Sequence, residues 1–302
     1  MSVVWQPVQA WPQDWQAQWP APWQDALAPA WQARTVWQGS HTVWHRWGPL
    51  AAPALLLLHG GSGSWMHWAR NISALLAAGY QVLAVDLPGS GDSDLPEGAL
   101  DAPDLPPHLH AGLAQIWPAQ RPPLALLGFS FGALTAALWL QAHPHDAQAL
   151  VLVGTPGLGL NSPERTPLKG WRHLPPEQHA SVHRHNLLAL MCAHESTLDP
   201  LVMALHAHNA GRDRLTRRRI SRTDVLAQAL PDLKLPVAVL FGALDALYVG
   251  RMHEVQALLQ ARLPDLRAFE ALPDAGHWVA YEAAPAFEAA LLRSLQALGL
   301  RP

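Results

Sequence analysis

Cysteine is almost missing from the 302 residues. Cys192 stands alone, so no intrachain disulfide can form, and a cytosolic setting fits. Charge is scarce as well: 14% of residues are Asp, Glu, Lys or Arg, against about a quarter in an average domain, so the surface should be rich in Ala, Gln, His and Pro. The 20 Lys and Arg against 23 Asp and Glu leave a net charge of -3, without the concentrated basic face that nucleic acid requires. One local basic cluster, residues 212–222, reads as a solvated or carboxylate-paired face. No apolar run reaches the ~18 residues of a membrane span. The N-terminus has no basic stretch followed by an apolar one, as a secretory signal would. The expectation is a soluble cytoplasmic protein with a small-molecule partner, no nucleic acid and no membrane span; the oligomeric state is left open.

The chain is rich in tryptophan, above all in residues 1–31, where Trp5, Trp11, Trp15, Trp19, Trp23 and Trp31 are interleaved with Gln, Pro and Ala. A four-residue spacing would put several of them on one helix face, but Pro12, Pro20 and Pro22 exclude a single continuous helix. The segment reads either as an arm for a membrane interface or partner, or as an extension that lays its indoles on the protein body. So many exposed indoles would be an unusual apolar surface, which favours the second.

Around the middle lies the most informative stretch. An apolar run, residues 124–127, breaks at Gly128-Phe129-Ser130-Phe131-Gly132 and continues as a helical pattern to Ala142. This is strand, sharp turn, helix, with a serine at the tip. Two glycines are needed because a side chain beside the turn would strike the neighbouring strand or helix. The Phe131 N–H then stands at a helix start, where peptide dipoles favour a negative oxygen.

Other segments repeat the strand–helix rhythm. Residues 36–47 read as a hairpin. Residues 54–58, 81–86, 149–153 and 237–241 read as strands, and 267–271 as the last of them. Helical stretches are expected over 65–78 and 285–298, with a short one over 108–117. The fold class implied is α/β, a doubly wound and mostly parallel sheet. Between residues 155 and 230 the strand rhythm stops and the sequence turns helical (187–193, 201–210), which implies an inserted helical cap. The organisation expected is therefore an arm (1–31), a core (32–154 and 231–302) and a cap (155–230). The cap holds the spaced pairs His183 with His185 and His206 with His208. Neither has a zinc-site spacing with Cys or an acid, so no metal is expected.

A serine needs a base, and the base an orienting acid. Asp245 follows the 237–241 strand, and His277 follows the last strand in Asp274-Ala275-Gly276-His277. Ser130, Asp245 and His277 would stand together at the C-terminal edge of one parallel sheet. Asp274 is a rival acid but lies only three residues before His277.

Taken together, these motifs resemble the α/β-hydrolase-fold serine hydrolases from about Trp37 onward, in the capped esterase and ring-cleavage-product hydrolase branch. The resemblance implies a nucleophile at Ser130, a base at His277, an acid at Asp245 and no cofactor. It further implies that His59-Gly60-Gly61 is the oxyanion loop, with the Gly61 N–H beside that of Phe131, and that His59 orients this loop. The loop from Asp86 to Ser93 matches the family's Asp-x-x-Gly-His-Gly-x-Ser, with Ser90 at the family's His position. Trp65, Phe129, Phe131, Leu187, Leu190, Met191 and Met203 are expected to wall the pocket, suiting a small to medium, largely apolar group. The activity implied is carboxylic-ester hydrolysis. The alternatives are carbon–carbon hydrolysis of ring-cleavage products, with a substrate-binding arginine at Arg70 or in the 212–222 cluster, and a non-catalytic binding protein of the same fold.

Overall fold

The structure is a computed structural model that describes residues 3–8, 19, 24, 27–117, 122–160, 162 and 165–302. Among the described residues, nine strands form one sheet: β1 (Gln6–Pro7), β2 (Trp31–Trp37), β3 (Ser40–Trp47), β4 (Ala54–Leu58), β5 (Gln81–Asp86), β6 (Leu124–Phe129), β7 (Ala149–Val153), β8 (Val237–Gly242) and β9 (Leu266–Leu272). Their spatial order is β1-β2-β3-β5-β4-β6-β7-β8-β9. The first three pair antiparallel, whereas β5 through β9 run parallel. The central strands β4, β5, β6, β7 and β8 are buried along their whole length. That explains why they read as unbroken apolar runs: a parallel sheet is covered on both faces, so neither side chain of the pleat meets water.

Alternate residues of each strand supply two separate cores. Leu55 and Leu57 pack with Ile72 and Leu75 of α1 (Ala69–Ala77) and with Phe287 and Leu291 of the last helix, Ala284–Ala297. Leu56 and Leu58 face the other way, toward Leu109 of α2 (Pro106–Ile116) and Leu134 and Trp139 of α3 (Phe131–Ala142). Between β7 and β8 come α4 (Pro176–Asn186), which runs into a π-helical turn (Leu187–Met191), then α5 (Pro200–Gly211) and α6 (Val225–Ala229). After β8 come α7 (Met252–Arg262), the short α8 (Val279–Glu282) and the last helix, α9.

The helical pattern expected from residue 65 begins as a 3-10 turn, Trp65–Trp68, whose N-terminus is capped by Ser64; only then does α1 start. In the N-terminal segment, Trp19 is buried edge-on against Trp65, and Arg46 lies over the Trp5 and Trp31 rings. Trp11, Trp15 and Trp23 lie outside the described residues. Among the described residues, no helix is long and apolar enough to cross a membrane.

Candidate active site

The C-terminal ends of the parallel strands converge on one cavity of about 190 Å³. Ser130 stands between β6 and α3 with φ 51 and ψ -117, a left-handed conformation that costs a non-glycine residue of order 1–3 kcal/mol. It is held there by its N–H, which donates to the Val153 carbonyl of the next strand at 2.8 Å. The flanking glycines are a packing requirement. A Cβ on Gly132 would lie 2.4 Å from the Leu58 and His59 carbonyls, and one on Gly128 2.5 Å from Ala133. The elbow therefore closes only without side chains at these two positions.

Asp245 lies in the loop after β8 and His277 in the loop after β9, and both are essentially buried. Their loops are stitched together by backbone bonds, Ala243 N–H to the Leu272 carbonyl (2.8 Å) and Leu244 N–H to the Ala275 carbonyl (2.9 Å). His277 Nδ1 is 2.8 Å from Asp245 Oδ2, and His277 Nε2 is 2.8 Å from Ser130 Oγ. A carboxylate only accepts, so Nδ1 carries the proton and Nε2 is left to accept from the serine hydroxyl. The second carboxylate oxygen of Asp245 accepts the Leu247 N–H at 2.9 Å, which fixes its plane. A hydroxyl, an imidazole and a carboxylate in one hydrogen-bonded row can move a proton off the hydroxyl as it attacks an electrophile.

Gly61 and Phe131 both line the cavity beside Ser130. Phe131 opens α3, and first-turn N–H groups have no intrahelical acceptor. The Gly61 loop is braced from beneath by two histidines. His59 Nδ1–H donates to the Gly60 carbonyl while its Nε2 accepts the Leu87 N–H, and His67 Nδ1 accepts the Gly60 N–H. Burial pushes both imidazoles down from their ordinary value, so they serve as neutral struts. The Asp86 loop is also bracing. Its carboxylate accepts the N–H groups of Trp65 and Asp92, and Ser93 Oγ bridges the Asp86 carbonyl and the Val43 N–H.

Of the residues expected to wall the pocket, Phe129, Phe131, Leu190 and Met191 line the cavity, whereas Trp65, Leu187 and Met203 do not. Trp65 is turned into the core by the 3-10 turn and packs on Trp19, Trp47 and His45. Leu187 is fully buried at the start of the π-helical turn, which presents Leu190 and Met191 to the cavity instead.

Three arginines share this space: Arg165, Arg218 and Arg222. Arg218 is committed to the buried Asp213 (2.6 and 2.9 Å) and to Ser62 Oγ, and it lies over the Phe131 ring. Arg165 has no carboxylate within ion-pair distance among the described residues. Burial lowers its basicity, and the neighbouring Arg222 adds to that. Arg70 is elsewhere, donating to the Tyr281 carbonyl. Sequence reading did not single out Arg165, which lies in a Pro-rich loop without periodicity. It also passed over Glu282, whose carboxylate collects the N–H groups of Gly276, Ala193 and His194 and the Thr197 hydroxyl, tying the His277 loop to the inserted segment.

The chain spans less than half the length of the first curated relatives it matches. It covers 41% of a 2-hydroxy-6-oxononadienedioate/2-hydroxy-6-oxononatrienedioate hydrolase of Cupriavidus pinatubonensis, at 35% identity over 38% of this chain. A longer match is to a 2-hydroxy-6-oxo-6-phenylhexa-2,4-dienoate hydrolase of Burkholderia cepacia, 26% identical over 78% of this chain and 84% of that protein. Two solved structures share the fold. One is an esterase of Rhodococcus sp. ECU1013, with a TM-score of 0.70 and 24% identity over 88% of this chain and 98% of that one. The other is a serine hydrolase involved in carbazole degradation, with a TM-score of 0.68 and 19% identity over the same two shares. The model of the alpha/beta hydrolase family matches residues 55–290, from the start of the buried sheet to the last helix, and the chain belongs to that family.

Proposed function

We propose that the protein is a serine hydrolase that cleaves an acyl bond of a small substrate carrying an anionic group. The observation that carries this reading is the unbroken row from Ser130 through His277 to Asp245 opening into a closed-in cavity. His277 takes the Ser130 proton as Oγ attacks the carbonyl carbon. The Phe131 and Gly61 N–H groups hold the resulting oxyanion, where loss of one such donor typically costs ~3 kcal/mol. Asp245 keeps the imidazole in the productive tautomer and stabilises the imidazolium. The imidazolium protonates the leaving group, and water, deprotonated by His277, releases the acyl group from Ser130. Residues 155–230 act as the cap, contributing Arg165, Leu190, Met191, Arg218 and Arg222 to the cavity.

Ester hydrolysis remains the first reading of the bond, but the arginines revise the expectation of a largely apolar substrate. They also support the second reading, carbon–carbon hydrolysis of a ring-cleavage dienoate: such substrates carry a carboxylate, and the relatives named above act on compounds of this class. Hydrolysis of p-nitrophenyl esters from acetate to octanoate, and loss of the dienoate absorbance band, should be followed in wild type beside Ser130→Ala. Turnover lost in the variant by at least ~10⁴-fold, with melting within a few degrees of wild type, is the expected result. Equal rates in both proteins would remove Ser130 from the mechanism. Binding without turnover of either class would favour the non-catalytic alternative.

A further inference from the structure

On the opposite side of α3 from its active-site end lies a second cluster that the hydrolase reading leaves unused. It joins His110 of α2, His143 at the C-terminal end of α3, and Asp146 in the loop that follows. One ligand atom from each residue lies within 4.8 Å of the other two. His110 Nδ1 is 2.7 Å from Asp146 Oδ2, and that same oxygen accepts the indole N–H of buried Trp139 at 2.7 Å. The His110 and His143 rings lie face to face, with centroids 3.8 Å apart and planes within 5°. Among the described residues, no hydrogen bond reaches the ring nitrogens of His143, although the ring is half-buried.

We propose that His110, His143 and Asp146 form a binding site for a divalent transition-metal cation, zinc above all, with water completing the coordination. Two imidazoles and one carboxylate are the donor set that zinc accepts, and a donor set with two nitrogens disfavours magnesium. The Trp139 N–H keeps the carboxylate aimed, the kind of outer hydrogen bond that orients metal ligands. On binding, the cation takes the place of the proton between His110 Nδ1 and Asp146, which is released to water, and the partly exposed His143 ring turns out of its stack so that its in-plane lone pair meets the ion. The three ligands come from α2 and from the chain leaving α3. The cation would thus staple those elements roughly 18 Å along α3 from Ser130, outside the reaction path.

The test is calorimetric titration and thermal melting of tag-free, chelator-treated protein with zinc chloride, with magnesium chloride as the control cation. Wild type should bind one zinc ion and melt roughly 5 °C higher at a hundredfold excess over Kd. His143→Ala and His110→Ala should each weaken that site at least tenfold. Both variants leave the Asp146–Trp139 bond in place. If His110→Ala already melts lower without metal, His143→Ala carries the comparison. No zinc response in wild type, the same response in both variants, or an equal response to magnesium would overturn the proposal; the second outcome would mean adventitious binding by the chain's other histidines.

Discussion

The two sides of the cavity are held by different forces. The strand-end side is fixed by backbone. Ser130, the Asp245 loop and the His277 loop are tied by main-chain hydrogen bonds to neighbouring strands, and Asp245 and His277 are almost fully excluded from water. The side made by the segment between β7 and β8 has main-chain ties to the core, such as the Trp278 N–H to the Met191 carbonyl and the Arg214 N–H to the Gly89 carbonyl, but leans also on side chains: Arg212 on Asp92, Arg218 on Ser62, and the N–H groups of Ala193 and His194 on Glu282. Main-chain bonds are indifferent to side-chain identity and resist drift. Ion pairs at a half-exposed surface are worth little individually and are easily exchanged. The first side therefore holds a reaction geometry, and the second is free to vary what that geometry acts on.

The largest effect that would break this contrast is expected on the backbone-held side. Asp245→Asn keeps the shape but offers His277 an amide, which can select the wrong tautomer. kcat should fall by about 10³–10⁴-fold with little change in KM or melting temperature. A loss under tenfold, measured on the best p-nitrophenyl ester, would mean that Asp245 does not orient the base.

A smaller and selective effect is expected across the cavity. Arg165→Leu should lower kcat/KM for a carboxylate-bearing ester roughly 10- to 100-fold while changing a neutral ester of equal size less than about threefold. Equal losses on both substrates would make Arg165 a packing residue and dissolve the distinction between the two sides.

The smallest effect concerns stability. His206, in α5, is pushed down to about 4 by burial, with His183 adding to the shift. The unfolded chain takes up this proton near the ordinary histidine value of 6.5, the folded chain only near 4, so the unfolded state holds more protons in between. Stability contributed by neutral His206 is thus intact above pH 6.5 and declines as pH falls toward 4. His206→Leu should melt with a shallower pH dependence between 6.5 and 4 than wild type, by a few degrees. Parallel melting curves would show that His206 protonates without cost in the folded protein.

Legibility follows the same division. β4 and β7 have the bounds that their apolar runs predict, because continuous burial leaves a continuous hydrophobic signature, whereas β9, only partly buried along most of its length, exceeds its predicted span by one residue at each end. α4 and α7 were not singled out. α4 is polar and half-exposed, and in α7 only Val255 and Leu259 are buried, so neither shows the broad apolar stripe that marks a packed helix. The three antiparallel strands at the sheet's edge were only partly foreseen, since β1 is two residues long and gains its partner in β2 from far along the chain.

By itself, the sequence determined the strand–turn–helix at Ser130, the placing of Asp245 and His277 in loops after later strands, and the mostly parallel sheet. Each of these rests on local rules: glycine where a Cβ would collide, apolar runs where both faces are covered, loops at strand ends. Only the tertiary structure decided that Trp65 and Leu187 fill the core while Leu190 and Met191 face the cavity, for an apolar residue carries no mark of whether it meets another side chain or a void. It also decided that Arg165 comes to lie in the same cavity as Ser130, and that His110 stacks on His143. Such contacts join residues more than thirty positions apart, and the closure that creates them is a property of the packed layers rather than of either segment.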